Sequence, residues 1–508
     1  MSAADWRRLR RISQAFFLIL FLGLSILTNA RGQAAPGAAP FFWLDPLLGL
    51  AALLAGRTWI APAFLFLVTI FITLLFGRSW CGWFCPLGTL LEWIAPRKTR
   101  GKMMGRLEKW RLGKHLAWMA ALGGALLGSA FYTFLDPLTL LNRAVASALF
   151  PALRHAVLQS EAWLYRFPLL WDALDAAHQA VIAPLFGSTP RYFGGALPLF
   201  LLLAGVIALN WIAERFWCRY LCPLGGLLGI LSKFALLRRE VDLETCTACA
   251  KCSRGCPTAT IDSEDNFRSD PAECIVCLDC MADCPTGAVR FRWQIPGWRP
   301  AAWKDYDPGR RAALGALAAA AGTAALAGID PVRQHPPANL MRPPGASQAS
   351  IESLCVRCGE CVRVCPTQGL QPSLFESGWH NLFTPRLAPR IGFCSYQCNA
   401  CGQVCPSGAI PPLELAVKQS TPLGLVRIDR DRCLPWAYNT PCAVCEEACP
   451  LPDKAIKVEE VQAVNALGME VTLQRPHVVR ELCIGCGVCE NRCPLDGEAA
   501  VRVYSIIT

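Results

Sequence analysis

The sequence predicts a membrane α-helical bundle of four plus one spans, joined to two small cysteine-dense α+β domains. Three observations predict it. Hydrophobic residues make up 53% of the 508-residue chain and charged residues 17%. That is too apolar for a wholly soluble protein and too charged for a pure transporter. Five segments are long and apolar enough to cross a bilayer, which takes about 20 residues. The 28 cysteines divide into seven groups of four with none left over.

The predicted spans are Ile12–Ala30, Trp59–Gly77, His115–Leu135, Leu197–Trp217 and Arg311–Ile329. The first four are rich in Leu, Phe and Ile, and the fifth in Ala. The basic stretch Met1–Arg11 leads into the first without a small-residue cleavage site, which reads as a retained anchor. Lys and Arg set the orientation. Arg7, Arg8, Arg10 and Arg11, the loop Arg78–Lys114, and Arg219, Lys233, Arg238 and Arg239 are expected on the cytoplasmic side. The loops Arg31–Arg57 and Asp136–Arg191 hold fewer basic residues for their length and are expected outside. The net charge of +11 follows this membrane pattern rather than a nucleic acid.

A repeat divides the bundle. LDPL at Leu44–Leu47 precedes a span and WCGWFCPLG at Trp80–Gly88; LDPL at Leu135–Leu138 precedes a span and WCRYLCPLG at Trp217–Gly225. Such a pattern is a parallel duplication, with LDPL expected outside and the cysteines inside. The chain then divides into a bundle (1–239), a cysteine-dense domain (240–295), a fifth membrane segment with a Pro-rich linker (308–350), and a second cysteine-dense domain (351–508).

Cys246, Cys249, Cys252 and Cys256, followed by Pro257, read C-x2-C-x2-C-x3-C-P, and Cys274, Cys277, Cys280 and Cys284, followed by Pro285, repeat it. In this two-cluster ferredoxin run the tight arc wraps three iron corners of one [4Fe–4S] cube, and the fourth cysteine reaches the other cube. Cys246, Cys249, Cys252 and Cys284 are therefore expected on one cluster, and Cys274, Cys277, Cys280 and Cys256 on a second. Four more groups follow. Cys355, Cys358, Cys361, Cys365 and Cys483, Cys486, Cys489, Cys493 keep the standard spacing. Cys394, Cys398, Cys401, Cys405 opens by one residue, and Cys433, Cys442, Cys445, Cys449 by the insert LPWAYNTP. Six clusters are expected. Nested pairing (first group with fourth) and sequential pairing both fit the spacing. Cys81, Cys85, Cys218 and Cys222 form two C-x3-C-P pairs: either a shared seventh cluster, or structural thiols or a redox-active dithiol pair. Zinc favours paired C-x2-C blocks with a long spacer, and disulfide frameworks small secreted domains, so neither fits.

Asp45 and Asp136 are the repeated acids of the bundle. An ionisable residue at a span end is a candidate for proton exchange with quinol, and Asp-Pro is equally an ordinary helix start. His115 begins a span and reads as structural; His155 and His178 lie in the outer loop as weaker quinone-site candidates. No phosphate-binding loop, dinucleotide fingerprint or C-x2-C-H haem motif is present, which argues against direct oxidation of a nicotinamide cofactor.

The twin WCxxxCPLG motifs with the Cys246–Cys284 pair resemble the NapH-type membrane polyferredoxins, the quinol dehydrogenase subunits of periplasmic nitrate reductase systems. The last part, with four cluster motifs and a widened third, looks like the NapG/MauM ferredoxins, and Gly309-Arg310-Arg311 looks like a twin-arginine signal kept as an anchor. The resemblance implies a fusion in the bacterial inner membrane that passes electrons from quinol through [4Fe–4S] clusters to a periplasmic cytochrome or terminal reductase. It places 240–295 in the cytoplasm and 351–508 in the periplasm. It also leaves two rivals: an electron-donating maturation factor for metalloenzymes, and a cluster-bearing subunit of a larger respiratory complex.

Overall fold

Proline starts the helices that build the bundle. At the first helical turn its missing N–H is harmless and its fixed φ is already helical. Pro46–Gly56 and Pro137–Ala144 start behind Asp45 and Asp136, whose carboxylates accept backbone N–H groups. Pro86–Ile94 and Pro223–Ser232 start behind Cys85 and Cys222, whose sulfurs accept from the N–H of Gly88 and Gly225 at 3.4 and 3.2 Å. The LDPL and CPLG motifs are thus one capping device used in both repeats. The computed structural model describes residues 3–30, 37–57, 64–96, 110–186, 192–294, 314–315, 318, 321–322, 337–464 and 468–506.

The span expectations need correction. Ala3–Ala30 is 28 residues, about 42 Å at 1.5 Å per residue. Among the described residues no other helix is both long and apolar enough to cross a membrane. The expected Trp59–Gly77 span is an α-helix over Phe66–Phe76, closed by Gly77 at φ 72°. The expected His115–Leu135 span is helical over Arg111–Leu126, with Gly128 at φ 81° and a 3-10 turn at Phe131–Leu135 after it. The expected Leu197–Trp217 span is helical over Ala196–Ala208 and continues as a 3-10 turn at Leu209–Trp211. Left-handed glycines and tight turns interrupt runs that are continuous in hydropathy alone. The Arg311–Ile329 segment, the Gly309-Arg310-Arg311 motif and the basic residues 97–109 lie wholly or mostly outside the described residues. The expected outer loop Asp136–Arg191 is also largely helical, at Pro137–Ala144, Phe150–Leu164 and Trp171–Ala177.

The two cysteine-dense domains pack on opposite ends of the first helix. At its start Arg7 pairs with Asp279 at 3.1 Å and Asp283 at 2.5 Å, and Arg10 donates to the Cys277 carbonyl at 3.1 Å. At its other end Arg363 donates to the Ser25 carbonyl. The basic residues Arg7 and Arg10 therefore dock a domain. Arg10 to Ser25 is about 22 Å along the helix. One hydrophobic core runs between the two ends, from Ile275 and Cys277 through Phe21, Leu87 and Leu138 to Val356 and Cys358.

Short antiparallel pairs tie the cysteine loops together. Strands β1 (Leu237–Val241) and β2 (Val289–Trp293) bracket the Cys246–Cys284 loops, with Leu237 opposite Trp293 and Val241 opposite Val289. In the C-terminal domain β3 (Leu370–Pro372) pairs with β4 (Pro385–Leu387). There β5 (Gly424–Ile428) pairs with β8 (Val501–Ser505), bracketing Cys433–Cys493, and the hairpin of β6 (Ile456–Val464) and β7 (Glu470–Val478) stands between them.

Candidate iron–sulfur sites

The standard arcs owe their shape to left-handed backbone. In all four, the second and fourth residues after the first cysteine have positive φ: Ala248 and Ala250, Val276 and Leu278, Arg357 and Gly359, Gly485 and Gly487. Five of these eight residues are not glycine, and non-glycine residues are uncommon in this region. The same bend four times over curls each loop around a common centre. The widened Cys394 arc lacks the pair; Asn399 there has φ −128°.

Each fourth cysteine crosses to a neighbouring arc. Cys246, Cys249, Cys252 and Cys284 line one cavity, and Cys256, Cys274, Cys277 and Cys280 another. Cys355, Cys358 and Cys361 line a cavity with Cys405, and Cys433, Cys442 and Cys445 one with Cys493. Cys394, Cys398 and Cys401 stand beside Cys365, and Cys483, Cys486 and Cys489 beside Cys449. Of the two arrangements left open by spacing, the structure has the sequential one: first group with second, third with fourth. Hydroxyls attend four of the crossing thiols. Thr258 lies 3.5 Å from the Cys256 sulfur, Thr286 3.7 Å from Cys284, Thr367 3.5 Å from Cys365 and Ser407 3.9 Å from Cys405.

Cys81, Cys85, Cys218 and Cys222 are brought together inside the bundle, all four buried and each within electrostatic reach of the others. Cys218 rides on a π-helical turn, Trp217–Leu221. The surroundings are paired across the repeat. Arg78 and Arg215 each stand three residues before the first cysteine, in Arg-x-Trp-Cys. Arg215 donates to the Cys81 carbonyl at 2.8 Å and packs on Gly88. Arg78 reaches the other repeat at Gly225, where an added Cβ would lie 2.9 Å from its Nη2. The indole N–H groups of Trp80 and Trp217 and the Nε–H groups of both arginines are buried with no partner among the described residues. Four buried thiols whose neighbouring residues carry unpartnered donors suit a group that presents several acceptor atoms, as a sulfide-containing cluster does. Sequence reading missed Arg78 and Arg215 in this role, although their repeated position was visible.

All 28 cysteines are free. Among the described residues no three Cys, His, Asp or Glu close on one point as a single metal ion needs; sulfurs 2.3 Å from one zinc would. The quartets instead surround space. In the cysteine-dense domains burial pushes the thiols up, Cys274 and Cys433 to about 11 and Cys280, Cys394 and Cys445 to about 12. Exposed Cys249 differs: the Lys251 N–H holds its thiol below the usual value. Ligation must displace these protons.

Asp45 and Asp136 are fully buried helix caps, and neither reaches a surface of the chain. His115 is buried and accepts from the Trp118 indole at 3.3 Å. His178 pairs with Glu161 at 2.7 Å, and His155 is exposed.

Comparison with known proteins agrees with this geometry. A "4Fe-4S binding domain" family matches residues 58–103 and 196–243, and a "4Fe-4S dicluster domain" family matches 354–410. The methylamine utilization ferredoxin-type protein MauM of Methylorubrum extorquens is 34% identical over 209 residues, 39% of this chain and 90% of that relative. The chain belongs to the MauM/NapG ferredoxin-type family. Within it, ferredoxin-type protein NapG of Escherichia coli is 34% identical over 167 residues, 32% of this chain and 69% of that relative. The ferredoxin-type protein MauN of Methylorubrum extorquens is 26% identical over 271 residues, 50% of this chain and 76% of that relative. No solved structure matches. As a ferredoxin-type member the chain is an iron–sulfur protein, and the dicluster match ends on the two groups that the structure pairs, Cys355–Cys365 and Cys394–Cys405.

Proposed function

We propose that this ferredoxin-type protein is a membrane-embedded conductor of single electrons, with six [4Fe–4S] sites in its two soluble domains and a seventh at Cys81, Cys85, Cys218 and Cys222. The observation that carries the reading is that the buried thiol quartet lies in the same hydrophobic core as the nearest site on either side. When bound, a [4Fe–4S] cluster accepts and releases one electron at a time.

The chain's own residues fix the order of the sites. Gly82, beside Cys81, lies so close to the Ile275 carbonyl that a Cβ would approach it to 2.3 Å, and the Trp83 indole donates to Val276 at 2.9 Å. The bundle site therefore abuts the Cys274 loop. At the far end Asn142 donates to the Cys358 carbonyl at 2.8 Å and Arg143 to the Arg357 carbonyl at 3.1 Å. Gln14 donates to Gly82 at the bundle site, and Ser25 meets the Cys355 domain; the interval is about 16 Å along the first helix. Beyond it the Cys394 N–H donates to Cys486 at 2.9 Å, linking the two halves of the C-terminal domain.

Membrane embedding is supported by apolar side chains turned outward. Ile12, Phe16 and Ile19 on the first helix, Phe71 on Phe66–Phe76, and Leu197 and Leu201 on Ala196–Ala208 are all exposed. Water would penalise that belt, and lipid would not. Quinol, dissolved in the same lipid, is the donor class such a belt meets. A NapH-type membrane half fused to a NapG/MauM-type half, a cytoplasmic 240–295 and a periplasmic 351–508 delivering to a cytochrome or reductase complete the reading; the docking of the two domains at opposite bundle ends supports it. The test is reduction of the anaerobic protein in lipid vesicles by a quinol analogue. The visible iron–sulfur absorbance is expected to bleach, with Cys81→Ser breaking transfer between the two domains. A chromophore inert to every quinol contradicts the donor.

A further inference from the structure

Two short helices of the bundle, Pro46–Gly56 and Pro137–Ala144, each begin behind a buried acid. Asp45 Oδ1 accepts from the N–H of Leu47 and Leu48 at 2.8 and 3.2 Å; Asp136 Oδ1 accepts from Leu138 and Thr139 at 2.9 and 3.2 Å. Both side chains are fully buried, and the two carboxyl groups touch each other. The second oxygen of each, Oδ2, has no donor among the described residues. Capping therefore explains half of each carboxyl and leaves the other half unexplained. Two carboxylates in contact in a dry interior cannot both stay charged. Only a proton on one oxygen turns their contact into a hydrogen bond, and the pair then titrates as a unit.

The pair also has a physical link to a cluster site. Pro137–Ala144 runs from Asp136 at its start to Asn142 and Arg143 at its end, which grip the Cys358 and Arg357 carbonyls. That is about 9 Å of helix. The charged groups facing the pair among the described residues are the two acids themselves and Arg143, whose field is shared with Arg357, Cys355 and Cys358. Glu360 stands beyond it, held by Asn142 at 2.7 Å and by Arg363. Across such a distance in a low-dielectric interior, charges still act on one another.

We propose that Asp45 and Asp136 form a proton-sharing dyad that gains one further proton when the Cys355, Cys358, Cys361 and Cys405 site gains one electron. The electron comes along the neighbouring cluster sites, and the proton comes from solvent and forms one O–H bond. No other bond changes. The inference rests on the reading that this site holds a cluster.

The test is a redox titration at several pH values, followed by EPR, of the signal that Cys358→Ser removes. The wild type is expected to shift tenfold in its redox equilibrium per pH unit across the dyad's range, which is about 59 mV for one electron. Asp45→Asn and Asp136→Asn each keep a capping oxygen and are expected to flatten that slope while iron content stays unchanged. Difference infrared spectra of the wild type should show a protonated-carboxyl band responding to reduction, a measurement that needs no variant. A potential independent of pH, or a slope that survives in both variants, overturns the dyad. Absence of any signal sensitive to Cys358→Ser overturns the cluster reading instead.

Discussion

At the scale of single residues, sulfur ligands are set by spacing and tuned by neighbours. Thr258 places a hydroxyl 3.5 Å from the Cys256 sulfur. A hydrogen bond to sulfur favours the more negative, reduced state. At about 0.5–1.5 kcal/mol for such a bond, Thr258→Val should lower the potential of the Cys274-arc site by roughly 20–60 mV for one electron. Redox titration should find the other sites unmoved. Gly82→Ala forces a methyl against the Ile275 carbonyl, where only 2.3 Å is free. Backbone on both sides cannot yield cheaply, so the variant should lose coupling between the bundle and the 240–295 domain, seen as slower reduction of one by the other. The cysteines themselves were legible, because three iron corners of a cube demand a fixed arc. Arg78, Arg215 and the threonines were not, because a side chain that attends a site from outside its loop leaves only a faint repeated position.

Elements behave differently. Buried ion pairs, rather than strands, fasten the first cysteine-dense domain to the bundle. Glu273, almost wholly buried, binds Lys114 and Arg78, and Arg10 binds Asp279 and Glu92. Removing one partner of a buried pair strands the other at a cost of about 3–5 kcal/mol. Glu273→Gln should therefore lower the temperature at which the 240–295 domain loses its colour, while the 351–508 domain keeps its own. The helices were the least legible part of the sequence. Hydropathy adds up apolar residues whether they lie in one helix or in a helix, a left-handed glycine and a 3-10 turn. Leu135 belongs to such a turn, and Asp136 then begins a separate helix. The Asp-Pro starts were legible as caps, since proline tolerates few other positions in a helix.

For the whole molecule, the arrangement is linear: a cysteine-dense domain at each end of the first helix and a thiol quartet between them. Neither pairing in the C-terminal domain could be chosen from spacing, because the sequence states which residues form an arc but not which arcs touch. The cavities that Cys405 shares with the Cys355 arc and Cys493 with the Cys433 arc decide that. The duplication was legible, and it explains why the bundle quartet takes two thiols from each repeat. Two-ended docking also predicts topology: an epitope at the C-terminus should be cut by protease from the outer face of intact spheroplasts, and one within 240–295 only from inverted vesicles. The central claim is the seventh site. Iron and acid-labile sulfide per chain, measured on the anaerobic protein, test it most directly. The account predicts about 28 iron atoms, falling to about 24 in Cys81→Ser/Cys218→Ser; about 24 in both proteins would contradict it.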